Sequence, residues 1–256
     1  MNVQIYKSVL EIIFISMVAV FFIAQYLKNN SIVDVFWGLG FVCIVLWFIF
    51  FQYASFTMLN VAVLLWGVRL SSYIFVRNFG KGEDWRYRNF RKAWGSHPLL
   101  GAFFQVFILQ GLIMFFVALP VIHGNLLLVS LNALNYIGVL LWGIGFFYEA
   151  IADYQLYRFK KNSENKGKVM RYGLWKLSRH PNYFGELLVW WGIWLMSVNL
   201  QEHLSSLISL ISPLLMTGLL TKVSGVPLLE KKYERHPEYE AYVKTTPAIF
   251  PFFGDN

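Results

Sequence analysis

The chain runs in long apolar stretches separated by short polar ones. Seven of the stretches reach the roughly 20 residues that a helix needs to cross a hydrocarbon core. They cover residues 8–27, 32–51, 56–76, 101–121, 131–154, 183–200 and 204–223. The polar residues between them are unevenly distributed. Residues 77–100 carry Arg77, Lys81, Arg86, Arg88, Arg91 and Lys92, and the connection after the fifth stretch carries Arg158, Lys160, Lys161, Lys166, Lys168, Arg171, Lys176 and Arg179. The tail adds Lys222, Lys231, Lys232, Arg235 and Lys244. With seven spans these three regions share one side, while residues 52–55, 123–130 and 201–203 contain no Lys or Arg. The positive-inside rule then places the N-terminus outside and the tail in the cytoplasm.

Beyond the last span, apolar and charged residues alternate at helical spacing over 225–242, which predicts an interfacial helix on the cytoplasmic face. Pro247 and Pro251 end regular structure there. No repeat of 20–50 residues and no low-complexity linker interrupts the pattern. The expectation is therefore an all-α integral membrane protein with seven transmembrane helices, forming one domain over residues 1–256.

Composition agrees with this class. Apolar residues make up 57% and charged ones 14%, against about 25% charged in soluble domains. The net charge of +8 would suit nucleic acid, but the cations track topology rather than one soluble face, so no nucleic-acid partner is expected. Cys43, the single cysteine, rules out an intrachain disulfide and a Cys-based zinc site. The first apolar run is interrupted by Glu11 and lacks a basic leader or a small-residue cleavage site, so it reads as a retained span.

Ionisable residues within such spans are costly and point to function. Leu177-Ser-Arg179-His180-Pro181-Asn182-Tyr183-Phe-Gly-Glu186 opens the sixth span. Pro181 suits a first helical position, and the free N–H groups there, with Arg179 and His180, suit an anion. Asn182 and Glu186 share a helix face. At the end of the fifth span Glu149, Asp153 and Tyr157 share a face, with Lys160 one turn on. They read either as a site or as carboxylates in a buried ion pair with Arg69 or Arg179. Asp34 reads either as part of a capping box with Ser31 or as a substrate-facing acid. Arg69 either snorkels or joins Tyr73 and Arg77 on a functional face. The stretch from Arg77 to Tyr87, with Asn78, Lys81 and Arg86, reads equally as a phosphate-binding loop or a solvated one. Of three His-Pro pairs, at His97, His180 and His236, the first two stand where the chain re-enters the membrane and are explained by proline as a helix starter. No metal is expected, because no ligand spacing accompanies these histidines. Gly38-x-Gly40 lacks the third glycine and the preceding strand of a dinucleotide fingerprint.

Together these motifs resemble the membrane steroid 5α-reductase family, in a bacterial branch once known only as a domain of unknown function. The resemblance rests on Ser31-x-x-Asp34-x-x-Trp37-Gly38, Trp66-Gly67-x-Arg69-Leu70, Arg77-Asn78 with Glu83-Asp84-x-Arg86-Tyr87, and Gly173-Leu174-Trp175 leading into Ser178–Glu186. It implies seven spans and NADPH bound in a cavity open to the cytoplasm. The implied reaction is reduction of an apolar enone, such as the 4-ene of a 3-oxosteroid, that enters from lipid. Asp153, Asn182 and Glu186 fall on cofactor-binding positions of the family. Lys160 and Lys168 stand where it has arginines, Glu149 where it has Asn, and Asn78 and Lys81 on its loop. The implied cofactor set is completed by Arg69, Arg86, Tyr157, Arg171, Arg179, His180 and Tyr183. Asp34 and Tyr73 are the nearest matches to the substrate acid and tyrosine, with Tyr73 donating to the ketone and itself polarised by Asp34 if their two helices face each other. An isoprenylcysteine-type carboxyl methyltransferase using S-adenosylmethionine shares the Arg-His-Pro-x-Tyr-x-Gly pattern and a tail glutamate and arginine, here Glu230 and Arg235. It remains an alternative, as does a non-enzymatic protein that binds membrane lipids.

Overall fold

The computed structural model describes residues 3–52, 54–126, 131–231, 233 and 236–252, and among them every regular element is helical. The chain divides into two compact units, Met1–Val129 and Ser130–Asn256, a division that the apolar pattern does not announce.

The first unit holds α1 (Val3–Tyr26), α2 (Ile32–Phe51), α3 (Met58–Asn78), α4 (Trp85–Ala93), α5 (Pro98–Val117) and α6 (Leu119–Leu126). Helices α1, α2, α3 and α5 are long and apolar enough to cross a membrane. α5 is π-helical over Phe103–Ile108. Its path breaks at Ala118, just before Pro120, whose ring and missing N–H prevent the helix from continuing unbroken. α2 and α3 touch backbone to backbone at Gly38 and Gly67. A Cβ on Gly38 would lie 2.4 Å from the Gly67 carbonyl oxygen, and one on Gly67 would lie 2.6 Å from that of Gly38. The glycines of the two Trp-Gly motifs are thus a helix crossing, of the small-residue kind that lets membrane helices approach closely. Next to it Trp66 is fully buried, with its ring edge-on to Phe41.

The second unit holds α7 (Ala133–Lys161), α8 (Pro181–Ser197), α9 (His203–Lys231) and α10 (Pro237–Thr245). α7 and α9 are of spanning length and composition, which makes six such helices among the described residues and a multi-pass membrane protein. The run expected over 183–200 forms α8, which has 17 residues. At about 1.5 Å per residue it stands at the short end of what crosses a core of roughly 30 Å. His97, His180 and His236 each occupy the N-cap position ahead of a proline in the first turn of α5, α8 and α10, so all three His-Pro pairs act as helix starts.

Two local expectations are corrected. Ser31 stands at the N-cap of α2 without a side-chain cap bond, because its hydroxyl is engaged elsewhere, as described below. The capping box lies instead at α7, where Asn132 accepts from the Leu134 N–H and Asn135 accepts from the Asn132 N–H. The tail is two short pieces rather than one interfacial helix. After a bend at Ser224 and Gly225 comes Val226–Lys231, and α10 starts again at Pro237. Lys232 and Arg235, two of the expected tail cations, lie outside the described residues.

Candidate functional site

In the second unit, α7 and α8 run antiparallel along two glycine contacts spaced seven residues apart. Gly138 meets Gly192, and Gly145 meets Gly185, with any added Cβ falling 2.6–2.7 Å from the opposing carbonyl oxygen. Seven residues are two helical turns, so both contacts lie on one face of each helix. A Cβ on Gly185 would also lie 2.5 Å from the Glu149 backbone nitrogen. This close approach sets the register of the polar residues beside it. Asp153, one turn beyond Glu149, accepts a hydrogen bond from the Asn182 amide (Nδ2 to Oδ1, 3.2 Å). Glu149 and Asp153 are 2% and 3% exposed. The far end of the pair is closed by Asn135, whose amide nitrogen donates to the carbonyls of Leu195, Met196 and Val198 at the end of α8.

The residue between Asp153 and Tyr157 that matters most locally is Gln155. Its side-chain oxygen accepts from the Leu174 N–H, and Trp175 donates from its ring to the Ala152 carbonyl. Gly173-Leu174-Trp175 therefore docks onto α7 just below the carboxylates, and Gly173 takes a left-handed backbone conformation (φ 60°) to do so. Tyr157 lies under the Lys161 ammonium, 5.9 Å from the ring centroid. Lys160, Lys168 and Arg171 are exposed, Arg171 pairing with Glu238 at 3.4 Å. The open crevice beside this turn is lined by Tyr154, Gln155, Arg158, Met170, Tyr172 and Gly173, not by Asn182 or Glu186.

Arg179 and His180 find a carboxylate that the motif itself does not contain. Glu230 Oε1 accepts from Arg179 Nε at 2.9 Å and lies 3.0 Å from His180 Nε2. Arg179 is thus the partner of the tail rather than of Glu149 or Asp153, which corrects that half of the ion-pair expectation. The His180 ring stacks on Tyr183, with centroids 5.4 Å apart and planes at 13°. Tyr148, one residue before Glu149, packs edge-on against Phe184, and its hydroxyl is buried with no partner among the described residues. Hydrophobic periodicity gave no signal for Tyr148 or Glu230. The first sits in an aromatic-rich run, and the second lies 50 residues from the residues it holds.

In the first unit the motifs containing Asp34 and Arg86 interlock. Asp34 accepts from Arg86 Nη2 at 2.7 Å and from the Tyr87 hydroxyl at 2.6 Å, one on each carboxylate oxygen. Arg86 also donates from Nε to Asp84 at 2.9 Å. The Ser31 hydroxyl accepts from the Asp84 N–H at 2.7 Å, and Glu83 accepts from the Asn30 N–H at 2.9 Å and from Arg91. Two stretches some 50 residues apart thus tie α4 to the start of α2. Arg86 stays charged, since Asp34 and Asp84 outweigh its partial burial. Burial, then the Asp34 charge, pushes the Tyr87 hydroxyl well above the usual tyrosine range. Asp84 is drawn the other way. Its partial burial favours the neutral acid, but hydrogen bonds and charge from Arg86 hold its carboxyl below the ordinary value.

The remaining candidates of this unit surround the end of α3. Arg69 is half-buried within the helix, Tyr73 lies under the Arg77 guanidinium at 5.5 Å, and Asn78 accepts from Arg77 Nε at 3.3 Å. Lys81 folds back onto the Arg77 carbonyl. The structure therefore brings Asp153 and Asn182 together on one helix pair of the second unit, and Asp34 and Arg86 together in the first. Among the described residues no group of three or more His, Cys, Asp or Glu is placed to hold a metal ion.

Comparison with known proteins adds three findings. A family model described as a protein of unknown function (DUF1295) matches residues 20–246. An uncharacterized protein of Schizosaccharomyces pombe is 26% identical over 90% of this chain and 74% of its own length. The 3-oxo-5-alpha-steroid 4-dehydrogenase 1 of Rattus norvegicus is 31% identical over 117 residues, 45% of this chain and 40% of the rat protein. No solved structure matches the chain.

Proposed function

The chain belongs to the DUF1295 family, and we propose that it is an NADPH-dependent reductase of the carbon–carbon double bond of an apolar enone, most simply a 3-oxo-4-ene steroid. The partial likeness to the rat 3-oxo-5-alpha-steroid 4-dehydrogenase 1 suggests an oxidoreductase. The single observation that carries the reading furthest is the Asn182–Asp153 contact on a helix pair locked by glycines, with buried Glu149 and half-buried Glu186 on the same two helices.

That donor set fits a nicotinamide. A carboxamide offers one acceptor and two donors. Asn182, its amide nitrogen directed to Asp153, keeps its carbonyl oxygen as an acceptor, and Glu186 provides a second acceptor one turn along. The exposed cations Lys160, Lys168 and Arg171 suit the phosphates as point charges and, for Arg171, as a fork. Bound NADPH would supply the hydride delivered to the β carbon. The protein's part is to orient the ring, exclude water and stabilise the charge that develops on the ketone oxygen. A preorganised hydrogen-bond donor contributes most there, the role expected of Tyr73. The α carbon of the enolate would then take a proton that comes ultimately from solvent, giving the saturated ketone and NADP+. Exposed apolar side chains along the spanning helices suit entry from lipid, with the nucleotide site toward the cytoplasm and α8 as a seventh crossing.

The test is to give the detergent-purified protein NADPH and a 3-oxo-4-ene steroid, following nicotinamide oxidation together with product mass. Oxidation with a two-hydrogen gain in the steroid supports the reading. Neither signal, with S-adenosylmethionine bound instead, favours the methyl transfer.

A further inference from the structure

We propose that Glu230 is a positioning residue of the cofactor site, acting through Arg179 and His180 to fix the first turn of α8, where Asn182 stands. This rests on the reading of that turn as part of a nucleotide site.

Glu230 takes Arg179 and His180 on a single oxygen, with their side chains only 10% and 6% exposed. His180 must donate its Nε2 proton to this carboxylate, which fixes its ring, and the fixed ring stacks on Tyr183 beside Asn182. Arg179 extends further into the tail. Its Nη1 donates to the carbonyls of Val243 and Thr246, groups that the end of α10 leaves without an intrahelical partner.

The backbone follows the same path. The Arg179 N–H donates to the Pro247 carbonyl at 2.9 Å and the His180 N–H to that of Ala248 at 3.0 Å. The Ser178 hydroxyl donates to the Ala248 carbonyl at 3.2 Å, and the Phe252 N–H to that of Leu177 at 3.1 Å. Tyr242 donates its hydroxyl to the carbonyls of Trp175 and Ser178, and Phe250 meets Phe184 edge-on at 6.1 Å. The tail is thus a strap drawn across the start of α8, with Glu230 as its clasp. Arg179 is committed to this strap. Its effect on a nucleotide is therefore geometric, and independent of which phosphates the nucleotide carries.

The experiment compares NADPH and NADH binding by the full-length protein and by Glu230→Gln, Glu230→Asp and Asn182→Ala, with tryptic cleavage after exposed Lys244 as a second readout. The expected result is that Glu230→Gln weakens both nucleotides by the same factor, roughly tenfold or more given how steeply site function falls with misplacement. It also cleaves faster after Lys244, and Glu230→Asp recovers part of both. Selective tightening of NADPH in Glu230→Gln would overturn the proposal, because Glu230 would then compete with a phosphate for Arg179. Parental binding in Glu230→Gln beside impaired Asn182→Ala would overturn it while leaving the cofactor reading intact. No nucleotide binding by the parent would defeat the cofactor reading and the positioning role with it, and unchanged cleavage would refute the clasp on its own.

Discussion

Gly145 and Gly185 meet backbone to backbone, each standing where the other's carbonyl oxygen leaves no room for a Cβ. Gly185→Ala must move α7 and α8 apart, because the obstructing atoms are backbone and cannot rotate away. Overpacking of this kind costs about 1–3 kcal/mol. A drop in the thermal midpoint in detergent is expected, together with loss of nucleotide binding beyond what the stability loss explains. Gly143→Ala, on α7 two residues from Gly145 but with open space around it, is the control and should behave as the parent.

Much of this arrangement was legible in the sequence. The apolar runs located the long helices, although α7 and α9 continue seven and eight residues past the expected ends, to Lys161 and Lys231. The His-Pro pairs at His97 and His180 marked two helix starts, since proline needs no N–H donor there, while the third, at His236, lay inside the single tail helix that the alternation suggested. Asn182 and the carboxylates of α7 were visible because charges are rare in such segments. Partnerships across the chain were not legible. Asp34 and Arg86 are 52 residues apart, Glu230 and Arg179 are 51 apart, and periodicity reports only which face a residue occupies. Ser31 and Asp34 have capping-box spacing, yet both side chains bond to the stretch around α4 instead. The seven-residue glycine spacing on α7 and α8 was present in the sequence but reads as a helix contact only once the two helices are known to pair.

Removing the hydroxyl of Tyr87 leaves one oxygen of Asp34 without its partner in a buried setting. Hydrogen bonds to charged groups are worth about 1.5–3 kcal/mol. Tyr87→Phe should lower the stability of the protein by that order, as read from its thermal midpoint. Lys81→Ala, which removes a side chain exposed at the loop, should leave it unchanged.

The same cluster predicts opposite behaviour at the two ends of the pH scale. Asp84 has a lowered folded-state pKa, so its contribution is fully present above the ordinary carboxylate value of about 3.9 and fades as pH falls through the folded value. Tyr87 has a raised one, so its contribution is fully present below the ordinary tyrosine value of about 10 and is lost as pH rises through the folded value. The thermal midpoint should show a plateau between them. Asp84→Asn should flatten the acid limb alone, and Tyr87→Phe the alkaline limb alone.

Asn182→Asp would place a second carboxylate about 3 Å from that of Asp153. Like charges at that distance disfavour joint ionisation. This variant should therefore bind nucleotide less well than Asn182→Ala, as equilibrium binding would show.

Equilibrium binding of NADPH to the detergent-purified protein, beside Asn182→Ala and Glu186→Gln, addresses the cofactor site most directly. Saturable binding of one nucleotide per chain is expected. It should fall by about tenfold or more in each variant, the worth of roughly 1.4 kcal/mol per contact. The thermal midpoint of Glu186→Gln should stay close to the parent's, and Asn182→Ala, which loses a hydrogen bond to buried Asp153, is measured well below its own midpoint. Undiminished binding in both variants, or no binding by the parent, would contradict the placement of the nucleotide on α7 and α8.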